Sequence, residues 1–130
     1  MLLLILAAAA SWVQTSHVDR MRGETVKTAT LQAENGRAIV VVTNRDNHAF
    51  AGLSVPGSKL DCIARCSVLV KFGGEPARYV RASGSSPNGM IFETSAVDAI
   101  KAAKSFDVEV RFLRGGSFQY HFSAVAPLSR

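Results

Sequence analysis

Two runs near the end of the chain, Asp107-Val-Glu-Val-Arg-Phe112 and Ser117-Phe-Gln-Tyr-His-Phe-Ser-Ala124, alternate apolar and polar residues with period two on either side of Gly115-Gly116. Side chains of a strand point alternately to opposite faces, so each run presents one apolar face and the pair reads as an antiparallel hairpin. Directly paired residues must share a face, which restricts the loop. A two-residue loop at Gly115-Gly116 would set Phe112 against Gln119 and mix the faces. A three-residue loop, Arg114-Gly115-Gly116, pairs Phe112 with Phe118, Val110 with Tyr120 and Val108 with Phe122. Arg111 and Gln119, then Glu109 and His121, would occupy the solvated face.

The same signal recurs upstream. Trp12-Val-Gln-Thr-Ser16 opens a first strand, and Thr25 to Leu31 and Ala38 to Thr43 are rich in β-branched residues around the break Glu34-Asn-Gly-Arg37. Arg45-Asp-Asn47 reads as a turn into a strand from His48 to Val55, ended by Pro56-Gly57. Ser67 to Phe72 and Ala77 to Ala82 flank the turn Gly73-Gly74-Glu75-Pro76, and Gly84 to Gly89 reads as a loop before Met90-Ile-Phe92. One segment departs from period two. In Thr94 to Lys104 the residues Val97, Ile100 and Ala103 recur at helical spacing, Ser95 and Asp98 approximate a capping box, and alanines and lysines carry the helix on. The fold class expected is mainly β: an antiparallel β-sandwich or partly open barrel of about 7–9 short strands. One short α-helix over about 95–104 should cover a sheet edge or an open end.

At 130 residues the chain suits one domain. Its start, Met1-Leu-Leu-Leu-Ile-Leu-Ala-Ala-Ala-Ala10, has the apolar and small-residue parts of a secretory signal without the basic first part. The domain reading is a signal-like segment over 1–10, cut near Ala8 to Ala10, and a single β-rich domain over 11–130. The apolar run is too short for a spanning helix. A periplasmic or secreted location follows, with no transmembrane span in the mature protein, and a chain that reached a host would be a surface-exposed antigen.

Export decides how the cysteines read. Cys62 and Cys66 are the two cysteines of the chain, and an even count in an oxidising compartment points to a disulfide. The bond would fix the start of the strand whose Val68, Val70 and Phe72 enter the core. Cys66→Ser is expected to cost about 1–3 kcal/mol, read as a lower urea midpoint. A copper-binding or thiol-redox use of Cys62 and Cys66 with a distant histidine is the alternative, since thiolates suit copper. A redox thiol wants a helix start after the second cysteine, and here an apolar β-branched run follows.

No other constellation carries chemistry. His17, His48 and His121 lack mutual ligand spacing, Ser54, Ser67 and Ser117 lack a nucleophile-elbow context, and the Gly84 to Gly89 loop lacks a phosphate-cradle lysine. No catalytic residue, metal ligand or cofactor is assigned, and the expectation is a non-enzymatic binding module. The net charge of +5 arises from 15 basic and 10 acidic residues, with only Asp19 to Arg22 and Lys101 to Lys104 forming small basic groups. Such scatter implies no specific nucleic acid; weak binding of an anionic polymer is a further alternative. The expected partner is an envelope or host macromolecule, and the expected state a monomer.

With these residues in view, the chain resembles small secreted or periplasmic proteins of Gram-negative bacteria, among them type VI secretion-associated proteins of the VasI kind and invasion-associated locus B proteins. The resemblance lies in Trp12, Asp19-Arg-Met21, Cys62 with Cys66-Ser-Val-Leu-Val-Lys-Phe72, Phe92, the helix with Ile100 and Ala103, and the closing hairpin. It implies an envelope β-sandwich, with no catalytic residue to carry over. The short amino-terminal region and the closely spaced cysteines depart from the VasI-like pattern.

Overall fold

Runs of valine, isoleucine and threonine become strands because branched side chains fit a pleated surface. In the computed structural model, which describes residues 11–46 and 48–128, the strands are β1 Val13–Asp19, β2 Glu24–Gln32, β3 Ile39–Arg45, β4 His48–Ser54, β5 Arg65–Phe72, β6 Arg78–Ser86, β7 Gly89–Phe92, β8 Ser105–Arg111 and β9 Ser117–Ser123. A 3-10 turn, Thr94–Ala96, leads into helix α1, Val97–Ala102. The signal-like segment 1–10 and Asn47 of the expected Arg45-Asp-Asn47 turn lie outside the described residues.

The mainly β reading holds. All nine strands form one antiparallel sheet in the order β1-β2-β3-β4-β7-β6-β5-β8-β9, not closed into a barrel, with β1 and β9 at its edges. Its inward residues form a single core that includes Leu31, Val40, Leu53, Val70, Phe106 and Phe122. Phe106 stacks on Phe122 at 5.0 Å between ring centroids, and Phe72 lies tilted against Phe106 at 6.2 Å. Helix α1 buries Val97 and Ile100 and contacts β4, so it covers one end of the core.

Three local expectations are corrected. In the closing hairpin Val110 pairs with Phe118, Val108 with Tyr120 and Phe106 with Phe122, a register displaced by two residues from the expected one. The displacement preserves both faces, which is why alternation alone does not detect it. Its cause is Phe112: this residue bridges to Leu60, and its N–H donates to Gly116 O at 2.9 Å, so the loop starts earlier. The expected loop over Gly84 to Gly89 is mostly strand, β6 running to Ser86 with a bulge between Gly84 and Ser86. The helix begins at Val97 without a side-chain cap bond, so the Ser95–Asp98 capping box does not form, and Ala103 is already extended.

The β1–β2 turn is held by Asp19, whose carboxylate accepts from the N–H groups of Met21 and Arg22. Arg22 also donates to Asp19 at 3.0 Å, and this contact holds the Asp19 carboxyl below the usual carboxylate range. Glu24 is shifted upward, first by its hydrogen bond with Asp46 and then by burial. The two act oppositely. A depressed carboxyl adds stability that is present above about pH 4 and lost as pH falls through its folded value. A raised one loses stability as pH rises through its folded value. Asp19→Asn is therefore expected to narrow the gap between urea midpoints at pH about 7 and about 3.

Candidate functional site

The end of the sheet opposite α1 is built by the chain between β4 and β5. Val55 N–H donates to Asn88 O and Leu60 N–H to Pro87 O, both at 2.8 Å, tying this segment to the β6–β7 turn. Asp61 N–H donates to Arg111 O and Leu113 N–H to Lys59 O, both at 2.9 Å, tying it also to the β8–β9 loop. Alternation persists through it: Leu60 and Cys62 are buried, while Asp61 and Ile63 face outward.

Cys62 and Cys66 are joined in a disulfide, with their α-carbons 5.3 Å apart, as the sequence predicts. The bond shortens the link between the crossing segment and β5, and Val68, Val70 and Phe72 of β5 are buried beyond it. The loop it closes rests on Gly84, whose N–H donates to Ala64 O at 3.0 Å. A β-carbon at position 84 would lie 1.9 Å from Cys62 O, so only glycine permits this approach. With both sulfurs in the bond and a strand following Cys66, neither is a thiolate ligand or an activated thiol in this state.

What this end presents is apolar side chains and two cations, with the acid Asp61 also facing outward two residues before Ile63. Ile63 is 81% exposed at the tip of the disulfide loop, and Leu113 is 48% exposed beside it. A groove between them is lined by Lys59, Leu60, Cys62, Ile63, Pro87 and Leu113, and an adjoining one by Lys59, Phe112 and Arg114. Among the described residues neither Lys59 nor Arg114 has a carboxylate within 4.0 Å.

The chain matches no family model, no curated protein and no solved structure. Its chemistry therefore rests on its own side chains.

The histidines are scattered in space as in sequence. His17 lies on β1 opposite Val26, and His48 opens β4 opposite Arg45. His121, expected beside Glu109, instead has Nδ1 2.8 Å from Asp107 Oδ1, because the displaced register brings Asp107 opposite it. Its Nε2 lies 3.8 Å from Glu34 Oε2. An imidazole held by a carboxylate has the orientation of a general base, but the neighbouring hydroxyl, Ser123, donates to Glu34. The Ser123 hydroxyl is thus engaged by Glu34 and not by the imidazole. Among the described residues no group of three or more His, Cys, Asp and Glu side chains is arranged to hold a metal ion.

The same region reveals the role of Asn35, which the sequence presents only as a turn residue. Its side-chain Nδ2 donates to Gln119 O at 2.9 Å, and its Oδ1 accepts from His121 N at 2.8 Å. The carboxamide thereby imitates a strand neighbour along the open edge of β9. Glu34 N–H donates to His121 O at 2.8 Å and extends the contact. Gly36 lies against Tyr120, and burial pushes the Tyr120 phenol up. Asn35→Ala is expected to cost about 0.5–1.5 kcal/mol through the loss of these two exposed hydrogen bonds, read as a lower urea midpoint.

Proposed function

We propose that this protein is a non-enzymatic binding module of the periplasm or the extracellular space, acting through its disulfide-braced end on another macromolecule of the envelope or a host. The observation that carries the reading is Ile63, 81% exposed on a loop closed by the disulfide and sharing a groove with Leu113 and Lys59, while Arg114 lines the adjoining groove. Burying one such aliphatic side chain is worth about 1.5–3 kcal/mol, and a braced loop loses little freedom on binding. The complementary partner has an apolar contact bordered by carboxylates. The disulfide supports an oxidising compartment, and no helix among the described residues is long and apolar enough to cross a membrane. The resemblance to VasI-like and invasion-associated proteins belongs to this proposal.

Ile63→Asp/Leu113→Asp tests it. Both side chains are exposed, so the variant should melt like the parent, while recovery of a discrete partner from envelope extract of the native organism should fall at least tenfold, about 1.4 kcal/mol. Equal recovery by parent and variant would overturn the assignment of this surface.

A further inference from the structure

The outward face of β5 and β6 carries a second arrangement, away from Ile63 and Leu113. Arg65 stands opposite Ser83, and Ser67 opposite Arg81. All four are exposed, and they line one groove with Ile91 and Glu93. The two arginines are diagonal neighbours across a strand pair, a spacing of about 7–8 Å. Among the described residues neither guanidinium has a carboxylate within 4.0 Å. A phosphate between them can take charge-assisted bonds from both forks and from the serine hydroxyls. Glu93 is the opposing charge: its Oε1 accepts from the Arg81 backbone N–H at 3.0 Å.

Across β7 the same face turns apolar. Ile91 is 43% exposed and pairs with Gly52, which has no side chain to fill the surface, and Phe50 is 45% exposed on the same strand as Gly52. Val41, Phe50, Gly52 and Ile91 line a shallow depression that shares Ile91 with the arginine groove. Outward side chains of adjacent strands stand on one surface, so the cationic and apolar halves are offered together.

We propose that this face docks onto an anionic phospholipid surface, with Arg65 and Arg81 on headgroup phosphates that no headgroup cation neutralises and Phe50 and Ile91 in the apolar boundary beneath them. A polyanion would use the arginines and leave Phe50 and Ile91 in water, whereas a membrane interface supplies phosphate and hydrocarbon side by side. The net charge of +5 adds general attraction to an anionic leaflet. This surface does not depend on the partner-binding reading of the disulfide end.

Co-sedimentation with phosphatidylglycerol vesicles, phosphatidylcholine vesicles and immobilised heparin tests the proposal. Binding to phosphatidylglycerol that exceeds binding to phosphatidylcholine and weakens with salt is expected. Arg65→Gln/Arg81→Gln should weaken it about thirtyfold, and Phe50→Ser/Ile91→Ser should weaken vesicle binding without changing heparin binding. Glu93→Gln, which keeps an oxygen for the Arg81 N–H and removes the charge, should tighten it a few-fold. The proposal is overturned by equal binding to both vesicle types, by binding insensitive to the arginine pair, or by loss through Lys59→Gln/Arg114→Gln in its place.

Discussion

Gly84→Ala is expected to lower the melting temperature by about 10 °C, corresponding to about 3 kcal/mol for a domain of this size. The added carbon would sit 1.9 Å from Cys62 O and 2.8 Å from Ile63 O, and both obstacles are backbone. Backbone cannot swing aside as a long side chain does. The disulfide holds Cys62, and the hydrogen bond from Gly84 N–H to Ala64 O holds the facing strand. The disulfide loop must therefore lift away, and Ile63 with it. Gly74→Ala is the control: a β-carbon added there, on the β5–β6 turn, would meet nothing within 4 Å, and the melting temperature should stay level or rise slightly. A Gly84→Ala variant as stable as the parent would show that the loop does not rest on this strand.

The second large effect belongs to the core. Phe122→Ala should cost about 3–5 kcal/mol in urea unfolding, because Phe122 is fully buried and stacked on Phe106 at 5.0 Å. Removing the ring leaves Phe106 without one side of its contact, between β8 and an edge strand that has only one strand neighbour. Phe118, on the same strand, is 43% exposed and touches Tyr120 edge-on at 4.7 Å. Phe118→Ala should cost only about 1 kcal/mol. Equal costs at the two positions would contradict the difference in burial along this face, from enclosed Phe122 to Phe118 at its loop end.

The contrast between these phenylalanines marks what alternation can and cannot reveal. Period two identifies Val108, Val110, Phe112, Phe118, Tyr120, Phe122 and Ala124 as one face; all are buried except Phe112, which is half-buried, and Phe118, which is exposed at the loop end. It does not specify which residues stand opposite, since displacement by two residues leaves every side chain on its face. The pairing is decided by Phe112 bridging to Leu60, a contact between segments remote in sequence. Asn35 is a similar case: an Asn-Gly dipeptide signals a turn, but the edge of β9 that its carboxamide binds belongs to a distant strand. The disulfide was legible because its partners are close in sequence and a chain this short of cysteines has one pairing. The arginine and serine cluster was not, because Arg65 and Arg81 meet only through the β5–β6 register. At Gly84 the sequence suggests a loop, whereas the glycine serves close backbone approach within a strand.

A photo-crosslinking residue placed at the disulfide tip reads whether a partner contacts this end of the protein. A probe in place of Ile63 is compared with one in place of Tyr79, which is 72% exposed on β6 and away from the braced end. After irradiation in the native envelope, one discrete adduct is expected from position 63 and none of that mass from position 79. No adduct from position 63, or the same adduct from both positions, would contradict partner binding through this end.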